Sequence, residues 1–163
     1  PAAALLASDD AAGAAIAATE DAARAALCAE AVGVLRHMFN DTLAYARQRQ
    51  QFGQPLARFQ VLQHRMVDMY IALEQAISAS YLATLNLHAA PADRARAVAA
   101  AKAMIGTSAR FIGEQAVQLH GAMGMTEELA VGHYFKRATA IAQQMGSRDQ
   151  HVRRYAAMPR MPA

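Results

Sequence analysis

Apolar side chains recur every three to four positions along most of this chain, and the places where they stop divide it into segments. Between 19 and 48, Leu27, Val34, Met38, Leu43 and Ala46 fall at helical spacing. Thr19-Glu20-Asp21-Ala22 supplies an N-cap candidate and first-turn acids, which suit the positive end of a helix dipole. Gly53-Gln54-Pro55 breaks the pattern, because Gly admits unusual dihedrals and Pro removes a donor. A second helix is predicted over 59–88, with Leu62, Met66, Met69, Leu73, Ile77 and Leu82 as its buried stripe. Pro91 opens a third in the favoured first-turn position. That helix carries Ala95, Val98, Ala101, Ile105, Phe111 and Val117 and ends near His120. Gly121-Ala122-Met123-Gly124 is a tight turn, a fourth helix covers 127–144, and a short fifth follows Gly146. Residues 1–18 have weak periodicity and read as a tail.

Composition agrees with helices. Of 163 residues 42 are Ala, whereas Val and Ile together number 14. Ala is the best helix former and strands favour β-branched residues, so an all-β fold is excluded. Long helices joined by short turns predict an all-α domain: an antiparallel (up-down-up-down) four-helix bundle over 19–158, with a short extra C-terminal helix and a tail at 159–163. Frequent Ala lets helix axes approach closely, and the nine Met fill irregular gaps. No apolar run is long enough to span a membrane. The Ala-rich start lacks the basic n-region of a signal peptide and places Asp9 and Asp10 where an apolar stretch belongs. A lone Cys28 rules out a disulfide framework, which fits a reducing compartment and a cytoplasmic location. The net charge of +3 is modest and dispersed, a poor match for nucleic acid.

A helical bundle invites a di-iron site, which needs Glu-x-x-His on facing helices. No Glu here is followed by His at i+3, and the six His never pair at i, i+4, so no metal is expected. Two helix-breaking segments carry more chemistry. Arg47-Gln48-Arg49-Gln50-Gln51-Phe52-Gly53 sets two guanidinium groups beside an aromatic ring and a turn, a combination able to meet phosphate oxygens and a flat ring. Gln118-Leu119-His120-Gly121-Ala122-Met123-Gly124 ends a helix with small residues that allow close backbone approach to a ligand. Both are also what ordinary helix C-termini look like, where basic side chains suit the dipole and Gly caps.

Taken together with their surroundings, these segments carry a family likeness. Tyr45-x-x-x-Arg49-x-Gln51-Phe52-Gly53-x-Pro55-x-x-x-Phe59-Gln60-x-x-Gln63-His64-x-x-x-Asp68-Met69, followed by Gln118-x-His120-Gly121-Ala122-Met123-Gly124-Met125-Thr126-x-Glu128, resembles the acyl-CoA dehydrogenases. The match covers roughly 19–157 and resembles that family's C-terminal helical domain alone, with residues 1–18 as the remnant leaving its β-domain. The resemblance implies FAD as cofactor, acyl-CoA as substrate and α,β-dehydrogenation as the reaction, with electrons passed to an electron-transfer flavoprotein. It further implies a homo-oligomer, dimer or tetramer, whose core this domain forms. Arg49 and Phe52 match positions that reach FAD, the arginine meeting the pyrophosphate of a neighbouring subunit's flavin. Phe59 and Gln60 match a second contacting pair. Gln118, Gly121 and Ala122 match the Gln-x-x-Gly-Gly segment at the adenosine end, Ala122 replacing its second glycine. Asp21 and Arg24 match an Asp-x-x-Arg that lies along the acyl-CoA, and are equally an i, i+3 helix salt bridge.

The departure from the family is at the base. Removal of a proton α to a thioester carbonyl needs a carboxylate within hydrogen-bond reach. Most members place Glu just before a Gly-Thr after the fourth helix, where this chain reads Gln144-Met145-Gly146-Ser147, so the position is Met145. A minority place it one residue before the arginine of the first long helix, here Ala23. Ser147 keeps a hydroxyl able to touch the flavin. Glu20 and Asp149 are the replacement candidates. The competing expectation is a non-catalytic subunit of a hetero-oligomer, or a helical assembly domain with no base of its own.

Overall fold

The computed structural model of the chain describes residues 8–159. The first helix, α1, runs Asp9–Gln48, 40 residues and about 60 Å at 1.5 Å per residue. It begins ten residues before the position predicted from periodicity. Asp9 and Asp10 occupy its first turn, where acids suit the dipole, and the Ala-rich stretch behind them is helical by propensity alone. That stretch is largely exposed, so it has no apolar stripe to reveal it. Residues 1–7 of the expected N-terminal tail, and 160–163 of the C-terminal one, lie outside the described residues.

After α1 the chain makes a minimal hairpin, β1 (Gln50–Gln51) paired antiparallel with β2 (Gln54–Pro55) in the register Gln50↔Pro55 and Gln51↔Gln54. Its two turn residues, Phe52 (φ +54) and Gly53 (φ +78), both adopt the left-handed conformation that a two-residue loop between twisted strands requires. A 3₁₀ turn, Leu56–Arg58, leads into α2 (Gln60–Leu85). Then follow α3 (Pro91–His120), a second 3₁₀ turn (Gly121–Met125), α4 (Ala130–Gln143) and α5 (Arg148–Ala156). The second helix stops three residues short of its predicted end, and the fourth begins three residues late.

This is an all-α domain of four packed helices with a further helix at its C-terminal end. Helix α3 is its centre, packed against α1, α2, α4 and α5. The core joins Leu35 and Met38 of α1, Met69 and Leu73 of α2, Val98, Ile105 and Ile112 of α3, and Val131 and Ile141 of α4. Small residues let α3 be approached from several sides. A Cβ on Gly113 would sit 2.8 Å from the Phe135 ring, and one on Gly106 would sit 3.1 Å from Arg148 Cβ. One predicted core position differs: Leu82 is exposed, and Ala76 and Ala83 face inward instead. Together with Val67, Tyr70 and Ile71 it leaves an apolar face on α2.

Candidate functional site

The positions singled out by sequence gather at two places about 37 Å apart along α1, the rise over the 25 residues from Arg24 to Arg49.

At the first, Asp21 is 1% exposed and accepts from three guanidinium groups. Arg24 of its own helix donates at 3.2 Å, Arg94 of α3 at 3.3 Å and Arg154 of α5 at 3.1 Å. The i, i+3 salt bridge is therefore present, but it is one third of a junction that ties α1 to α3 and α5. Arg24 is fully engaged: a second nitrogen meets Glu20 at 2.9 Å, and Nε donates to the Met145 carbonyl at 3.3 Å. Glu20 thus stands one guanidinium away from the position where the family resemblance places a base. Asp149 is turned elsewhere, paired with Arg148, which in turn reaches Thr107. Ala23 is half-buried.

Met145 and Gly146 form the tight link between α4 and α5, with φ of +56° and +112°. The Met145 carbonyl also meets His151 Nε2 at 3.0 Å. Burial pushes the His151 imidazole below its ordinary pKa; the Met145 carbonyl opposes this, and the cations of Lys102, Arg24 and Arg154 add to it. Ser147 closes the link as the N-cap of α5, its hydroxyl accepting from the Gln150 amide while the Gln150 side chain accepts from the Ser147 N–H. Arg24, Met145, Gly146, Gln150, His151 and Arg154 line a hollow of about 350 Å³. Its charged lining is cationic, and no carboxylate stands at residue 145.

Beneath this turn lies a residue that sequence reasoning missed. Lys102 is wholly buried and bonds only to backbone carbonyls. The signal was available, since Lys102 falls on the same helical stripe as Val98, Ile105 and Ala109, where an apolar side chain is the rule. Beside it, burial pushes the Cys28 thiol up to about 11, with the Lys102 charge opposing, so the lone cysteine is an inert core residue.

The second place is the far end of α1 and α3. Tyr45 stacks on His120 with ring centroids 4.4 Å apart, and its hydroxyl donates to the His120 carbonyl at 3.4 Å. This contact brings the segment carrying Arg49, Phe52, Phe59 and Gln60 to the same end as the one carrying Gln118, Gly121 and Ala122. His120 is buried, its Nδ1 held 2.8 Å from the Ala116 carbonyl. Phe52 is 92% exposed and touches Phe59 edge-on at 6.2 Å. Arg49 and Gln118 are exposed. Gly121 turns the chain with φ +62 and ψ −144, and the space a Cβ would enter there is open. Ala122 is exposed, so its methyl costs this domain nothing. Gly124, by contrast, is buried where a Cβ would lie 2.8 Å from the Val117 carbonyl. An exposed cation and an exposed ring on one segment and an open backbone turn on the other thus stand at the same end of the helices.

The chain is similar to known proteins in sequence and in fold. The family model for the C-terminal domain of acyl-CoA dehydrogenases matches residues 13–158. Acyl-CoA dehydrogenase IpdE2 from Mycolicibacterium smegmatis is 34% identical over 128 residues, 78% of this chain and 39% of that protein. Among solved structures, the ChsE4-ChsE5 complex from Mycobacterium tuberculosis superposes with a TM-score of 0.81 at 25% identity, over 88% of this chain and 39% of the other. Butyryl-CoA dehydrogenase from Megasphaera elsdenii superposes with a TM-score of 0.78 at 28% identity, over 86% and 37%. The chain spans about two-fifths of the length of these relatives. No helix among the described residues is long and apolar enough to cross a membrane. The chain belongs to the acyl-CoA dehydrogenase family, of which it carries the C-terminal domain.

Proposed function

We propose that this domain completes an FAD-dependent acyl-CoA dehydrogenase, contributing flavin contacts at one end and the surroundings of the reacting carbons at the other. The observation that carries the reading is the Gln50–Pro55 hairpin with Arg49 at its base, which displays a cation and, at Phe52, a ring that the domain's own core does not use. The donor set fits a flavin dinucleotide. Arg49 would pair with its pyrophosphate, Phe52, Phe59 and Gln60 would contact it, and Gln118, Gly121 and Ala122 would take its adenosine end. FAD held there would supply a hydride acceptor for the β carbon. At the other end Arg24, oriented by Asp21, would lie along the acyl-CoA, and the Ser147 hydroxyl would face the flavin.

The α-proton requires a carboxylate, and the best-placed one in this chain is Glu20, held by the same guanidinium that grips the Met145 carbonyl. A second reading is favoured by the apolar Met145 and Ala23: a subunit without its own base, working in a hetero-oligomer. The likeness to a complex of two different proteins supports it. In either reading oligomer formation would use the apolar face of α2, where Tyr70, Ile71, Ala79, Leu82 and Met104 line a groove of about 560 Å³ between α2 and α3. The reading also carries an up-down-up-down helix order. It is supported by Asp21 meeting Arg94 at the start of α3 while Tyr45 meets His120 at its end. A cytoplasmic setting and an electron-transfer flavoprotein as acceptor complete it.

The test is flavin bleaching by a panel of acyl-CoA thioesters, using the full-length parent alone and with the products of neighbouring genes. Bleaching by the parent alone, abolished by Glu20→Gln, establishes Glu20 as base. Bleaching only with a partner establishes the hetero-oligomer. No bleaching under either condition refutes a dehydrogenase and leaves an assembly domain.

A further inference from the structure

The Lys102 side chain has 0% exposure. Its Nζ donates to the carbonyls of Ile141 at 2.9 Å, Gly146 at 3.1 Å and Ala142 at 3.4 Å. Among the described residues it takes part in no ion pair with a carboxylate. Three acceptors match the three N–H donors of an ammonium. A neutral amine has two donors and would aim its lone pair at a carbonyl oxygen. Ile141 and Ala142 belong to the last turn of α4, whose carbonyls lack helical partners and form the negative pole of the helix. Gly146 belongs to the link beyond it.

We propose that Lys102 is a positioning residue: a buried ammonium on α3 that fixes the 144–147 turn and so sets where residue 145 stands. Met145 holds a positive φ, a conformation that costs a non-glycine residue energy, while Gly146 takes its own freely, so contacts from the surrounding helices offset the cost at Met145. Arg24 and His151 grip the Met145 carbonyl from α1 and α5. Lys102 grips the next carbonyl from beneath, and its other two bonds lock that grip to the end of α4. Burial lowers the Lys102 pKa, with the Arg24 charge acting in the same direction. The neighbouring Cys28 opposes that loss, and three carbonyl acceptors at the negative end of α4 are the surroundings an ammonium requires. The inference rests on the proposed function only for what the turn presents to substrate. Whether Lys102 holds the turn is independent of it.

The sequence contains two lysines, Lys102 and the exposed Lys136. Selective ¹⁵N-lysine labelling of this chain therefore gives two side-chain signals. The expected result is a slowly exchanging NH₃⁺ quartet from Lys102 at neutral pH while Lys136 exchanges rapidly with water. An amine signal from Lys102, or exchange as fast as that of Lys136, overturns the proposal. The Lys102→Met variant keeps the apolar stem of the side chain and removes the ammonium. Backbone amide exchange across 144–151 should then accelerate by about tenfold or more while 45–56 stays as it was. Uniform acceleration along the chain would reduce Lys102 to general stability and refute a positioning role. In a Cys28→Ala, Lys102→Cys chain, aminoethylation of the single thiol while unfolded rebuilds an ammonium of nearly the same reach. Slow exchange at 144–151 should return on refolding, and failure to return counts against the proposal. If Lys102→Met does not fold, the labelled wild-type chain still decides. None of these measurements uses flavin or acyl-CoA, so failure of the dehydrogenase reading is seen separately in the bleaching assay.

Discussion

Replacing Asp21 by Asn tests whether the domain depends on its three-arginine junction. The substitution keeps the shape of the side chain, removes its charge and turns one oxygen into an N–H donor facing guanidinium donors. All three bonds, at 3.1 to 3.3 Å, are affected. Breaking a buried ion pair by removing one partner typically costs about 3–5 kcal/mol, because the remaining charge loses its compensation. Arg154 is 32% exposed and recovers part of that from water, so the lower end applies, about 3 kcal/mol. For a domain of this size that corresponds to a melting point lower by about 6–12 °C. Urea denaturation followed by circular dichroism measures the loss directly. Removing one stranded cation, in Asp21→Asn with Arg154→Met, should recover part of it. Glu30→Gln, which breaks the exposed Glu30–Arg137 pair on the surface, should leave the midpoint unchanged within error. A loss below about 1 kcal/mol for Asp21→Asn would refute the reasoning, since the carboxylate would then be acting as if solvated.

Acidification should weaken the fold through His151. Its folded-state pKa lies below the ordinary 6.5, so the unfolded chain takes up the proton first. The contribution is intact above about pH 6.5 and lost as pH falls through the folded value, and His151→Gln should flatten the stability curve over that range. Gly146→Ala adds a Cβ 2.7 Å from His151 Nε2 at φ +112, and a loss of about 2 kcal/mol or more is expected in urea melts. Gly53→Ala, at φ +78 but in open space, should cost only about 1 kcal/mol. Phe52→Gly relieves a left-handed aromatic residue that is almost wholly exposed, so stability should change by less than about 1 kcal/mol. In the full-length parent the same variant should lose flavin on gel filtration, and undiminished flavin content would remove Phe52 from the cofactor site.

What could be read in the chain beforehand follows from what each feature depends on. The helices between 27 and 143 were legible because burial of one face imposes a 3.6-residue recurrence, and Pro91, Gly53 and Gly121 act locally on their own dihedrals. The first ten residues of α1 were not, because they form a helix without burying a face. Leu82 was misplaced inward because its spacing fits the stripe, yet at that point the inner face is filled by Ala76 and Ala83.

The sequence by itself determined the helical class, the breaks, and the family to which these motifs belong, all of which are carried by neighbours along the chain. Only the tertiary structure decided the company that charged residues keep. Asp21 shows its bond to Arg24 in the local i, i+3 spacing, while Arg94 and Arg154 reach it across 73 and 133 residues. Lys102 finds its three carbonyls 39 to 44 residues away. An ion's partner depends on distance in space and on the exclusion of water, and neither exists until the helices have packed.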